Sequence, residues 1–167
     1  MAKALLISTA DIAQFTALNG NVDVDDFIQF LNIAQDLDVQ SYLGTDLLEA
    51  IQAQIIATGA PTGDYTALVT NYIKPMLIHF AMAQYLPWAA YTIGNNGVFK
   101  HSPENSETVS KSEVDAMIDR ELTIAKNYAD LFVKHMCFNS ATFPEYNTNS
   151  NGDVYPQKDV SFTNWNI

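Results

Sequence analysis

The chain has 167 residues, a hydrophobic fraction of 48% and a formal net charge of −11 at pH 7. Its length predicts one domain with a sizeable core, and its composition excludes a disordered chain. The acidic balance disfavours a protein that wraps nucleic acid, because such proteins need basic residues to displace counterions from the phosphates.

The charge is distributed unevenly along the chain. Residues 1–64 have a net charge of −8, with Lys3 as their only base, whereas residues 65–167 have a net charge of −3. An acidic half can attract a basic partner or repel nucleic acid, and a simple soluble surface is the alternative explanation. The lone Cys137 excludes a disulfide framework and favours a reducing compartment.

The first two helices are predicted from the signals at their ends. Ser8 and Asp11 form a capping-box-like start for a short helix over residues 9–18. The second helix is predicted over residues 23–43 and ends at Gly44.

Two further helices follow. Thr45 is expected to cap a third helix over residues 46–58, which ends before Gly59. A fourth helix over residues 65–86 has apolar residues at helical spacing and is expected to be the most buried. Pro75 should kink or split it, because proline lacks the N–H group and clashes with the preceding turn.

The stretch over residues 75–93 superficially resembles a membrane span. His79, Gln84 and Pro87 lie within it, and a bilayer tolerates polar groups poorly. We therefore expect a buried helix and no membrane contact.

The polar, turn-rich residues 94–110 predict a long loop with room for a small hairpin. Ser110 and Glu113 then form a capping box for the longest helix, residues 111–136. Its predicted buried stripe is Val114, Met117, Ile118, Leu122, Ala125, Tyr128, Phe132 and Met136.

Residues 138–167 are rich in Asn, Ser and Thr but also contain several aromatic residues. A disordered tail is poor in aromatic residues, so we expect an arm that lies on a partner or on its own domain. The predicted fold is all-α: a compact bundle of four to five helices over residues 1–137, with an extended C-terminal arm over 138–167. The candidate anchors of the arm to a partner are Phe143, Tyr146, Tyr155, Phe162 and Trp165.

The second helix has two apolar stripes when its residues are placed at about 100° intervals. The first stripe contains Val24, Phe27, Ile28, Leu31 and Tyr42. The second contains Phe30, Ile33 and Leu37, and we expect it to pack in the core or against a neighbouring subunit. The remaining polar strip contains Asp25, Gln29, Asn32, Asp36 and Gln40.

No motif predicts catalysis or metal binding. The alternating Asn147, Asn149 and Asn151 imitate a calcium loop, but Lys158 stands where a bidentate glutamate is needed. The histidines lack a metal-ligand spacing, and glycine-rich phosphate loops and hydrolase motifs are missing. A pair formed by Cys137 and His135 is the one enzymatic candidate. We expect no enzyme, no cofactor and no metal.

Two stretches resemble the head–tail connector, or adaptor, proteins of tailed bacteriophages. The first is D-D-F-I-x-x-x-x-x-A-x-x-x-D-V-x-x-Y-L-G (Asp25 to Gly44), followed by T-D-L (Thr45 to Leu47). The second comprises Gly97–Phe99, Glu104–Ser106 and Ser110–Glu113, and with the long last helix it is similar to a branch from phages of Bacteroidetes-type hosts. The resemblance covers about residues 5–136 and leaves the tail uncovered.

This resemblance implies a structural virion protein located at the neck and assembled in the host cytoplasm. Copies of the chain would form a ring, usually dodecameric, that docks on the portal protein, contacts a downstream neck or tail protein and lets DNA pass without specific binding. The polar strip of the second helix would then be a candidate channel lining. A tail stopper, another neck-ring component, or a non-viral acidic helical module that binds a basic protein remain alternatives.

Overall fold

A computed structural model describes residues 3–8, 11, 24–89, 91–94, 97–100 and 110–159. In this part of the chain the fold is an all-α bundle with one two-stranded hairpin, which confirms the predicted fold class. The α-helices are α1 (Val24–Ala34), α2 (Gln40–Leu43), α3 (Thr45–Thr58), α4 (Asp64–Leu68), α5 (Lys74–Tyr85) and α6 (Lys111–Asn139). Two π-helical turns (Gln35–Val39 and Val69–Ile73), a 3₁₀ helix (Pro144–Asn147) and strands β1 (Tyr91–Gly94) and β2 (Gly97–Lys100) complete the set.

The second predicted helix is confirmed as a continuous helical path. The first π-turn joins α1 to α2, and the path ends at Gly44, whose φ is 77°. The prediction that Thr45 caps the third helix is wrong. Gly44 occupies the capping position, and Thr45 is the first residue of α3. Gly59 ends α3 in the left-handed conformation, as predicted.

The fourth predicted helix is also a continuous helical path, in which a π-turn just before Pro75 takes the place of a break. The second π-turn separates α4 from α5, and Pro75 lies at the start of α5. In this turn the amide of Lys74 donates to the carbonyl of Val69, five residues earlier. A π-turn at this place is compatible with Pro75, because proline has no N–H group to donate in the normal helical hydrogen bond.

Helix α5 is the centre of the bundle. Its buried residues are Met76, Leu77, Ile78, Phe80, Ala81, Met82 and Ala83. Both α1 and α6 have their main helix contacts with α5 rather than with each other. Among the described residues, no helix is long and apolar enough to cross a bilayer.

Helix α6 begins with the predicted capping box. The Ser110 side chain accepts from the amide of Glu113, and the Glu113 carboxylate accepts from the amide of Ser110 at 2.9 Å. The helix continues three residues beyond the predicted end, to Asn139. Its buried residues are Ala125, Ala129, Phe132, Val133 and Met136. The predicted stripe is wrong for Met117, which is 48% exposed.

Strands β1 and β2 pair antiparallel, with Tyr91 opposite Lys100. The long predicted loop therefore contains a strand, and its residues 101–109 lie outside the described part. Most of the first predicted helix also lies outside it. Asp11 is described and helical, and its carboxylate accepts from the amide of Ser8 at 2.9 Å, as a capping interaction requires.

The N-terminal segment, residues 3–8, is anchored by buried glutamines. The side chain of Gln35 accepts from the amide of Leu6 at 3.0 Å and donates to the carbonyl of Ala4 at 3.1 Å. Gln52 donates to the same carbonyl at 2.9 Å. Gln35 is fully buried and Leu6 is 2% exposed, so these polar groups are satisfied away from water.

The predicted boundary between residues 137 and 138 does not separate two units. Helix α6 continues across it, and Phe143 and Tyr146 belong to the same hydrophobic core as α5. The segment after the helix therefore lies on its own domain, which is one of the two predicted alternatives, and it begins after Asn139 rather than at residue 138.

Replacing Gln35 with Ala should lower the free energy of unfolding by about 1–3 kcal/mol, because the buried amide of Leu6 loses its partner. Urea denaturation monitored by circular dichroism measures this loss. The control is Asn127→Ala, which removes an exposed side-chain amide from α6 and should change stability by about 0.5 kcal/mol or less. An equal effect of the two substitutions would contradict the anchoring role of Gln35.

Candidate functional site

The C-terminal strap, residues 148–157, is held against the junction of α2 and α3. The amide of Thr45 donates to the carbonyl of Val154 at 3.0 Å, and the amide of Val154 donates to Oγ1 of Thr45 at 3.2 Å. The amide of Gln157 donates to the carbonyl of Ser41 at 2.8 Å. These bonds occupy backbone groups that the ends of α2 and α3 leave without an intrahelical partner.

Gly44 lies under the strap, and two features of its position require glycine. Its backbone conformation, φ 77° and ψ 161°, belongs to a region that only glycine adopts readily. A Cβ atom at this position would also lie 2.6 Å from Cδ of Pro156, which is buried. The close approach of the strap therefore requires a residue without a side chain at position 44.

Asp46 binds the other end of the strap. Its carboxylate accepts from the hydroxyl of Thr148, from the amide of Ser150 at 2.9 Å and from the hydroxyl of Ser150 at 2.8 Å. The hydrogen bonds of Thr148 and Ser150 lower the pKa of Asp46 below the ordinary aspartate value. The charged form of Asp46 is therefore the one that holds the strap.

The residues between α6 and the strap are packed into the domain. The hydroxyl of Tyr65 donates to the carboxylate of Glu145 at 2.8 Å, and the ring of Tyr65 meets the ring of Phe143 edge to face. Burial, followed by the bond to Glu145, raises the pKa of Tyr65 to about 12. Burial also raises the pKa of Tyr146 to about 12.

The candidate arm anchors differ in their burial. Phe143 and Tyr146 are 3% and 2% exposed, so the prediction that they bind a partner is wrong. They are aromatic because they fill the core beside Phe132 and Tyr65. Tyr155 is 50% exposed and accepts from Lys158 at 2.9 Å. Phe162 and Trp165 lie outside the described residues.

The candidate channel-lining strip is only partly intact. Gln29 and Asp36 are exposed, and Asp36 forms an ion pair with Lys3. Asn32 is half-buried and donates to the carbonyl of Ile28 at 3.2 Å. The side chain of Asp25 lies outside the described part, although its backbone belongs to α1.

The prediction for Gln40 is wrong. Its side chain is half-buried and donates to Oγ1 of Thr45 at 2.9 Å, which ties α2 to α3. The first π-turn precedes Gln40 and adds one residue to a helical turn. The prediction placed residues at 100° intervals, so it assigns the wrong face to residues after this turn. The lining role of Gln29 and Asp36 stays a prediction.

The second apolar stripe of this helical path divides between core and surface. Phe30 is 7% exposed and meets the ring of Tyr85 edge to face, so it packs in the core. Ile33 is 39% exposed and Leu37 is 70% exposed. These two residues form an unpartnered apolar patch on the described surface of the chain.

Other large apolar side chains are also exposed. They are Ile56, Trp88, Met117, Leu131, Phe138, Val154 and Tyr155, and Phe138 has the highest exposed fraction, 89%. Single exposed apolar residues are ordinary on protein surfaces, whereas groups of them mark interaction sites.

The histidines and the cysteine do not form a catalytic group in the described part of the chain. Nδ1 of His79 lies 2.6 Å from a carboxylate oxygen of Glu121, and its ring stacks on Tyr128. The ring of His135 stacks on Tyr72, while Cys137 is exposed two residues further along the helix. No group of three potential metal ligands occurs among the described residues.

Two shallow clefts flank α6. One, of about 430 Å³, is lined by residues that include Tyr42, Lys126, Asp130 and Gln157. The other, of about 270 Å³, lies beside Tyr72 and His135. Each lining combines polar and apolar atoms in similar proportions, whereas typical small-molecule sites have mostly apolar linings. Among the described residues, the exposed apolar side chains are therefore better candidates for binding a partner than the two clefts.

Sequence reasoning missed the role of the residues after Gly44. Thr45 and Asp46 look like an ordinary helix start, but each binds a segment about a hundred residues later in the chain. One sequence signal could have indicated this role. Gly44 ends one helix and the next helix begins directly after it, so the two helix ends meet without a loop.

Comparison with known proteins gives one family match. The family described as "Family of unknown function (DUF6712)" matches residues 39–156. No curated protein and no solved structure matches the chain. The matched range begins just before the α2–α3 junction and ends at Pro156, so it includes both sides of the strap contact.

Replacing Gly44 with Ala should lower the free energy of unfolding by about 3 kcal/mol. Backbone strain contributes about 1–3 kcal/mol and the clash with Pro156 a similar amount. Thermal and urea unfolding measure the loss. Gly59→Ala is the control, because it has a φ of 84° but open space around it and should cost about 1 kcal/mol. Adding Pro156→Ala to Gly44→Ala should restore part of the loss, and a loss no larger than that of Gly59→Ala would contradict the contact.

Replacing Asp46 with Asn should release the strap. We expect faster hydrogen exchange at the amides of Val154 and Gln157, with unchanged protection in α5. In the natural chain this protection should be complete above about pH 4, the ordinary aspartate pKa, and lost as the pH falls through the lower pKa of folded Asp46.

The matched control for Asp46 is Asp153→Asn, which removes an exposed acid from the same strap. This variant should keep the protection and its pH dependence. Equal protection in the Asp46 and Asp153 variants across this pH range would show that Asp46 does not hold the strap.

Proposed function

We propose that this chain, which belongs to the DUF6712 family of unknown function, is a head–tail connector subunit of a tailed bacteriophage. In this proposal copies of the chain form a ring that docks on the portal protein and continues the DNA channel toward the tail. The chain has a structural role at the neck of the virion and performs no chemistry.

The observation that carries the proposal is apolar surface on two separate helices. Leu37, after α1, is 70% exposed, and Phe138, near the end of α6, is 89% exposed. Exposing such side chains to water is unfavourable, at about 25 cal/mol per Å² of apolar surface. A subunit in a closed ring needs contact surface on two flanks, because each copy has two neighbours.

The sequence resemblance adds support at the α2–α3 junction. The Y-L-G-T-D stretch, Tyr42–Asp46, is the part of the connector-like pattern that receives the strap. These residues hold the strap against the bundle through their hydrogen bonds. That arrangement suits a small ring subunit whose last residues reach toward another component.

The charge also supports the proposal. A channel wall that lets DNA slide must avoid neutralising the phosphates, and the acidic residues 1–64 offer only one base. Gln29 is the candidate lining residue on which this proposal relies, because its side chain remains exposed. Tyr155, Phe162 and Trp165 stay the candidate anchors toward the portal, and Tyr155 is exposed on the strap.

The acidic half also supports a second candidate function. A monomeric or dimeric helical module could use residues 1–64 to bind a basic protein. Such a module would form no closed ring with a portal, and its partner would dissociate with increasing salt.

The test combines the purified chain with the portal protein of the same phage genome. Native mass spectrometry and particle imaging should show closed rings on the portal. A chain that stays monomeric with the portal present would contradict the ring, even if it is monomeric on its own before docking.

A truncated chain tests the arm. Removing residues 160–167 should leave the circular dichroism spectrum and the melting temperature unchanged and should prevent docking. Truncation after residue 137 is unsuitable, because it removes Phe143 and Tyr146 from the core. Undiminished docking of the shorter chain would contradict the arm.

A further inference from the structure

A second apolar stripe runs along the outer side of α6. Met117, Ile124, Leu131 and Phe138 follow one another at intervals of seven residues. Met117 is 48%, Leu131 49% and Phe138 89% exposed, and Ile124 is half-buried. The stripe extends about 32 Å at 1.5 Å per residue. A seven-residue apolar period is the pattern by which one helix packs along another.

The two edges of this α6 stripe differ. On one edge, Glu121, Tyr128 and His135 face the domain itself, through contacts with His79 and Tyr72. The residues of the other edge, three positions after each stripe residue, are Arg120, Asn127 and Lys134, and all three are exposed. Two of these three residues are basic, and the exposed acid Glu113 precedes Arg120 by seven positions in the same row. The free edge is therefore basic from Arg120 to Lys134, beside Leu131.

The helical path formed by α1 and the first π-turn has an apolar patch with an acidic neighbour. Ile33 and Leu37 form this α1 patch, and Asp36 lies between them in sequence. Asp36 is paired with Lys3, and both side chains are 43% exposed. An ion pair this exposed contributes little, so Asp36 can change partner at small cost.

The α1 patch and the α6 stripe lie on helices that have no extensive contact with each other. Helices α1 and α6 each pack on α5, and neither has its main contacts with the other. One chain therefore presents two separate apolar surfaces, one with a basic edge and one with an acidic neighbour.

We infer that the α6 stripe of one copy binds the α1 patch of the next copy in a head-to-tail contact. This inference rests on the proposed ring and identifies the two surfaces that meet in it. Leu131 and Phe138 pack against Ile33 and Leu37, while Arg120 and Lys134 face the acidic side of the neighbour.

Charge favours this pairing over a symmetric one. A two-fold contact between two α6 stripes, or between two α1 patches, would bring like charges to the same interface and leave the other surface uncovered. A head-to-tail contact covers both surfaces with one type of interface and repeats from copy to copy.

The test uses two blocked variants of the full chain and one control. Leu37→Glu blocks the α1 patch, and the double variant Leu131→Glu with Phe138→Glu blocks the α6 stripe. Ile56→Glu is the matched control, because Ile56 is 55% exposed on α3 and belongs to neither surface. All these side chains are exposed, so circular dichroism should show that each variant is folded.

Sedimentation velocity and portal-assisted ring assembly then measure association. Each blocked variant should lose ring formation and associate at least tenfold more weakly, while the control assembles like the natural chain. A mixture of the two blocked variants should form a 1:1 dimer that grows no further, because one intact α6 stripe meets one intact α1 patch.

Failure of this inference can be distinguished from failure of the proposed function. The pairing would be overturned, and the connector role left standing, by either of two results. Either blocked variant still forms rings, or the mixture yields no dimer under conditions in which the natural chain associates. A natural chain that does not associate with itself or with the portal would overturn both.

Discussion

The fold depends on one glycine between two helices. Gly44 ends α2, and its positive φ allows α3 to begin at the next residue, without a loop. Because it has no side chain, Pro156 can lie directly on the junction. Thr45 and Asp46, at the start of α3, then provide the hydrogen bonds that hold the strap. One backbone conformation thus orients two helices and also fixes the position of the strap.

The first π-turn has a comparable double role. It buries Gln35, which satisfies the backbone of the N-terminal segment, and it exposes Leu37 two residues later. Residues two positions apart on a helix project to different sides, so an inward anchor and an outward contact arise from the same short stretch. The segment that stabilises the monomer therefore also presents the surface that we assign to the neighbouring subunit.

Much of the fold could be predicted because its signals are local. Gly44, Gly59 and the Ser110–Glu113 capping box mark helix ends through interactions within a few residues. The π-turns could not be predicted, because they depend on packing around α5, and the angular position of Gln40 was lost with them. Phe143 and Tyr146 were assigned to a partner contact, but they lie in the core of the chain. Composition cannot distinguish these two locations, because a polar segment with spaced aromatic residues can cover either surface. The α6 stripe was missed because a longer buried stripe dominates the same helix.

Whether the chain is a ring subunit of the neck is tested most directly by imaging the phage particle that contains it. Cryo-electron microscopy of the head–tail junction should show copies of this helical bundle in a closed ring directly below the portal, with the α1 patch of each copy against the α6 stripe of the next. Absence of the chain from the purified particles, or a position away from the portal, would contradict the connector role.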